Sequence, residues 1–136
     1  MNKQDWDELI RALRDTSNID QAAAAAARLH KIATSDDLPR LMELLKDGDF
    51  FVREAAAWPV SELAGLSALE ALLAAYQRGL DQGHDNDGFA TALIELVAAN
   101  RESSREVLHG LAEAKSGAMR ENALWLLEFC GVSRDR

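Results

Sequence analysis

The chain has 136 residues, one cysteine and two prolines, with 15 Lys+Arg against 23 Asp+Glu and a net charge of −8. The length suits one domain, expected over residues 1–132 with residues 133–136 as a frayed tail. The acidic balance argues against nucleic acid and anionic membrane as partners, and the lone cysteine excludes both a disulfide frame and a thiolate zinc cluster.

Ala and Leu make up about a third of the residues, β-branched residues are scattered, and no stretch alternates with period two. An all-α chain follows. Its breakers and caps predict eight short helices, near 4–15, 18–33, 36–46, 50–64, 67–79, 87–100, 103–115 and 117–130. The first is amphipathic, with Trp6, Leu9, Ile10 and Leu13 on one side and Asp5, Glu8 and Arg11 on the other. The second contains the run Ala22 to Ala27, read as a close-packed face because Leu29 and Ile32 continue its apolar stripe. Ser35-Asp36-Asp37 opens the third, with Pro39 in the first turn where its missing N–H is harmless. Pro59 falls inside the fourth and predicts a kink near Ala55–Pro59. Ser103, three residues before Glu106, has capping-box spacing for the seventh. Gly48, Gly65, Gly83, Gly88, Gly117 and Gly131 fall near helix ends.

The eight helices repeat. Displaced by 67 residues, Leu41 falls on Leu108, Leu44 on Leu111, Arg53-Glu54 on Arg120-Glu121, Ala56 on Ala123 and Trp58 on Trp125. Half that period is a two-helix unit. A middle copy fits with a lengthened turn, placing Leu72 and Leu73 from Leu41 onward, Phe89 on Val52, Leu96 on Pro59 and Val97 on Val60. A first copy starts at Leu9, Ile10 and Leu13.

The segment Leu44-Leu45-Lys46-Asp47-Gly48-Asp49-Phe50-Phe51-Val52-Arg53-Glu54-Ala55-Ala56-Ala57 resembles the HEAT-like repeat signature. That signature joins an apolar pair ending one helix, an Asp-containing turn, and Val-Arg with small residues opening the next. The resemblance implies a right-handed α-α solenoid of about four helix pairs, whose second helices line the concave face. The Asp-containing turn can cap the second helix, and the alanines let paired helices approach closely. The third copy departs from the pattern, having Phe89-Ala90 in place of Val-Arg.

Within the fourth helix Val52, Ala56, Val60 and Leu63 form the apolar stripe, and Met119, Ala123 and Leu127 do so in the eighth. Trp58 and Trp125 lie off these stripes, and Glu95 is their counterpart in the third copy. The repeat therefore predicts a row of Trp58, Glu95 and Trp125, with Glu62 and Glu128 close by. Two readings of each Trp stand side by side: packing between neighbouring repeats, or a contact point for a partner.

Charge falls unevenly. Residues 54–100 hold Glu54, Glu62, Glu70, Asp81, Asp85, Asp87 and Glu95 against one base, Arg78. That concentration is either a solvated face or a docking surface for a basic partner. The loop from Leu80 to Gly88 carries three of these acids. Asp85-Asn86-Asp87-Gly88 fails as a calcium loop, because Gly83 and Ile94 stand where carboxylates are required. The loop reads instead as a polar turn with Asp85 or Asp87 capping the next helix, or as part of the binding surface.

Catalytic patterns are missing from the sequence. His30, His84 and His109 are dispersed and form no H-E-x-x-H motif; no nucleophile elbow, Walker loop or dinucleotide fingerprint is present. Cys130 reads as a buried structural thiol. HEAT-like DNA glycosylases use basic grooves, which residues 54–100 do not offer. Nor do one cysteine and scattered histidines support a HEAT-like bilin lyase.

The expectation is thus a non-catalytic, cytoplasmic protein without cofactor or metal. Its candidate partner-binding residues are Glu54, Trp58, Glu62, Asp81, Asp85, Asp87, Glu95, Trp125 and Glu128. The partner is a basic protein, with a bacterial toxin inhibited by an immunity-type protein as the specific case. A regulatory or assembly scaffold and a HEAT-like enzyme such as a lyase are the alternatives. No apolar leader opens the chain, and no apolar run reaches the ~18–20 residues that span a bilayer.

Overall fold

A computed structural model describes residues 1–131, and the expected tail at 133–136 lies outside them. Among the described residues eight α-helices follow one another: α1 Lys3–Arg14, α2 Ile19–Ile32, α3 Leu38–Leu44, α4 Phe50–Ala64, α5 Leu69–Asp81, α6 Asp87–Ala99, α7 Arg101–Ala114 and α8 Gly117–Leu127. Short 3-10 turns precede α3 and α5 and follow α8. No strand occurs among the described residues. The all-α expectation of four helix pairs is met. The chain divides into two compact units, Met1–Ala64 and Gly65–Arg136.

In the first unit α1 packs on α2, α3 on α4, and α4 on both α1 and α2. Asn2 accepts the N–H of Asp5 at 2.8 Å and Asn18 that of Gln21 at 3.0 Å, so Asn caps open α1 and α2. Trp6, Leu9 and Leu13 bury the apolar face of α1. On α2 only Ala22, Ala25 and Leu29 are buried. The expected stripe ends there: Ile32 is exposed, as are Ala23, Ala24 and Ala27, because one side of α2 has no neighbour within the unit.

The turn between α3 and α4 behaves as its sequence implies. Asp49 accepts the N–H groups of Phe51 at 2.8 Å and Val52 at 3.4 Å, capping α4. Asp47 accepts the N–H of Asp49 at 2.9 Å and is clasped by both terminal nitrogens of the Arg14 guanidinium. That pairing ties the end of α1 to the second helix pair. Arg53 is fully buried, and its Nη1 donates to the Asp47 carbonyl at 2.8 Å. Val52, Ala56 and Val60 are wholly buried, as the repeat predicts. The helix runs on through Pro59 to Ala64.

Asp37 is a fully buried carboxylate. It accepts the Thr34 N–H at 2.9 Å, Arg40 Nη2 at 2.6 Å and the Met1 ammonium at 3.3 Å. Arg40 in turn lies over the Trp6 ring, 4.4 Å from its centroid.

In the second unit α5 packs on α6 and α8, and α7 on α8 and α6. Its core holds Leu69, Leu72, Leu73, Phe89, Leu93, Val97, Leu108 and Leu126. Two expectations are corrected here. Ser103 does not cap α7: the helix starts at Arg101 straight after Asn100, which leaves Ser103 inside the first turn. On α8 the buried positions are Ala123 and Leu126, with Met119 and Leu127 only partly covered, so the apolar face is rotated from the predicted stripe. Arg120, the counterpart of Arg53, also reaches back to a carbonyl, that of Ala112 at 2.8 Å, but stays exposed.

Candidate functional site

The expected partner-binding residues divide between the units. Glu54, Trp58 and Glu62 belong to the first, at successive four-residue steps along one face of α4. Trp58 is half-buried. Its nearest ring is His30 of α2, at 6.0 Å between centroids and 32° between planes. The His30 Nε2 pairs with Glu62 Oε2 at 2.9 Å, and both side chains are solvent-accessible. An α2 residue absent from the sequence expectation thus bridges an expected aromatic and an expected acid.

Asp81, Asp85, Asp87, Glu95, Trp125 and Glu128 belong to the second unit. Asp81, at the end of α5, accepts Gln77 Nε2 at 2.7 Å, and Asp85 accepts the Asp87 N–H at 3.1 Å. The loop is therefore a polar turn in which Asp85 binds the first N–H of α6. Asp81, Asp85, Asp87 and Glu95 are all exposed, and none makes an ion pair among the described residues. Glu70, by contrast, is paired with Lys115 at 3.0 Å. Glu128 is exposed in the 3-10 turn after α8.

Trp125 is not a free-standing aromatic. It stacks on Tyr76 of α5 at 5.3 Å and 8°, and meets Phe129 edge-on at 5.7 Å. Tyr76 also lies 6.4 Å from the buried ring of Phe89. Its backbone carbonyl accepts Asn86 Nδ2 at 2.7 Å, which ties the loop to α5. Burial, and then the charge of Asp87, push the Tyr76 hydroxyl above its usual range. Tyr76 thus touches Trp125 with its ring and the acidic loop, at Asn86, with its carbonyl. The only tyrosine in the chain, it carried no repeat counterpart to mark it.

Three donors needed for metal binding are never grouped: no cluster of three or more His, Cys, Asp or Glu able to hold a metal occurs among the described residues. Cys130 is fully buried, as expected. Its thiol is pushed up by burial, against a smaller opposing effect from Arg105, whose Nη1 donates to the Cys130 carbonyl at 2.8 Å. No described helix is long and apolar enough to cross a membrane.

A family model described as HEAT repeats matches residues 6–84. Comparison with curated proteins and with solved structures gives no match.

Proposed function

Because this chain belongs to the HEAT repeat family, whose members generally mediate protein–protein interaction, we propose that it is a non-catalytic binding module for a basic protein. The observation that carries this reading is the state of four carboxylates. Asp81, Asp85, Asp87 and Glu95 are exposed and form no ion pair among the described residues, in a stretch of 47 residues, 54–100, whose only base is Arg78. None of the four is ion-paired among the described residues, so a cationic surface gains their field on approach. Tyr76 and Trp125, stacked and half-buried, with Tyr76 bonded to the acidic loop through Asn86, supply aromatic area on which Lys or Arg stems can lie.

The specific partner we assign is a toxin domain with a cationic active surface, covered by this chain in an immunity-type complex. The acid concentration favours that class, because an inhibitor must associate fast and opposite charge raises the association rate. The test is co-expression with the product of the adjoining reading frame, together with binding measured at rising salt. Protection, with affinity falling on going from 50 to about 500 mM salt, supports the proposal. The triple variant Asp81→Asn, Asp85→Asn, Asp87→Asn should lose protection while remaining helical. Undiminished affinity of that variant, or salt-independent binding, overturns it.

A further inference from the structure

Ile19 is the most exposed large apolar residue among those described, at 77 % of its full accessibility. It sits at the first position of α2, immediately after the Asn18 cap, where nothing in the helix requires an isoleucine. Beside it is a cavity of 390 Å³ formed wholly within the first unit. Leu13, Ala22, Ala23, Phe51 and Ile19 itself make its walls, and hardly any polar surface lines it. The volume lies in the range of pockets that hold small ligands, with room for more than one aliphatic side chain.

The small residues at 22 and 23 open the cavity. Larger side chains there would fill the space between the α1–α2 connection and the start of α4. Two acids, Asp15 and Asp49, stand at its edge. Both have prior commitments that fix them in place: Asp15 accepts the backbone N–H of Ser17 at 3.0 Å, and Asp49 caps α4. In each, those bonds use Oδ1 and leave Oδ2 available. The nearby cation Arg14 is held by Asp47 and also acts through its charge on Asp49, whereas no charged group among the described residues acts on Asp15 in the same way.

From this arrangement we infer a second docking site, separate from the acidic surface of the second unit and independent of the reading above. It takes an extended protein segment in which aliphatic side chains are flanked by Lys or Arg. The aliphatic groups enter between Ile19 and Phe51, and the flanking cations meet Asp15 and Asp49. A purely apolar occupant would leave Asp15 facing desolvation without a counter-charge, and an acidic one would be repelled.

The probe is a capped tetrapeptide of sequence lysine-leucine-leucine-arginine, titrated into the full chain and followed by side-chain methyl resonances. Saturable shifts of the Ile19 and Leu13 methyls are expected. Replacing both leucines by serine should weaken binding about tenfold. Replacing both basic residues by glutamate should weaken it by about threefold or more. Ile19→Ser should weaken the parent peptide without changing helicity, because the side chain it removes is exposed. Asp15→Asn should narrow the gap between the basic and acidic peptides. Equal binding of the two peptides, shifts that map elsewhere, or no saturable shift at all overturns the inference.

Discussion

Trp125 lies parallel to Tyr76, with 8° between the ring planes and 5.3 Å between centroids. The contact joins α8 to α5 and so connects the two helix pairs of the second unit. Stacked aromatics contribute beyond the area they bury. Trp125→Ala should therefore cost about 3 kcal/mol in urea denaturation, and Trp125→Phe about 1. Trp58, half-buried with His30 as its nearest ring, should cost only about 1–2 kcal/mol on truncation. Equal costs would contradict this asymmetry and make both tryptophans ordinary packing residues.

Arg53 is another case in which one repeat position has two environments. It is fully buried beneath the α3–α4 turn and donates to the Asp47 carbonyl, whereas its counterpart Arg120 is exposed. Arg53→Ala leaves a void and frees the carbonyl it held, at an expected cost of about 3 kcal/mol. Arg120→Ala should cost no more than about 1 kcal/mol. Thermal denaturation of the two variants side by side measures the difference. A reversed order would show that the turn contact is not what Arg53 contributes.

Cys130 gives a prediction about reactivity. Its side chain is fully buried at the end of the second unit, and burial holds the thiol in its protonated form. The thiolate is the reactive species, so native protein should react with a disulfide reagent at least about a hundred times more slowly than protein in urea. Rapid labelling of the folded protein at neutral pH would contradict the burial.

The helices were legible because local chemistry punctuates them. Asp47-Gly48-Asp49 announces a turn, Pro39 a first turn, and the 67-residue offset pairs the leucines that are buried in both copies. What stayed hidden was decided by tertiary neighbours. Ser103 has capping chemistry, yet α7 begins at Arg101 because Asn100 alone separates it from α6. Ile32 continues the periodicity of α2 but extends beyond the helices that would cover it. His30 and Tyr76 meet their partners across helix pairs, where periodicity along the chain carries no information about approach. The candidate acids were readable as composition, but the contacts of Tyr76 with Asn86 of the acidic loop and with Trp125 were not.

Acid should weaken the first unit through two carboxylates. The hydrogen bonds from Arg14 hold Asp47 below the ordinary carboxylate value of 3.8, against burial, with the Asp49 N–H and the charges of Arg14 and Arg53 adding to them. For Asp37 burial is the largest influence and acts upward. The Thr34 N–H, Arg40 and the Met1 ammonium together outweigh it and leave that group lowered too. A carboxylate depressed in the folded state binds its proton more readily when unfolded. Its stabilisation is therefore complete above about pH 5 and is lost as pH falls through 3.8 towards the lower folded value. Urea midpoints measured from pH 7 down to about 3 should fall most steeply below about pH 4.5. Asp47→Asn and Arg14→Gln should each lower the midpoint at pH 7 and flatten its acid dependence, since each removes the same pairing. If Asp47→Asn keeps the full acid slope of the unmodified chain, the clasp between α1 and the α3–α4 turn is not the source of that slope.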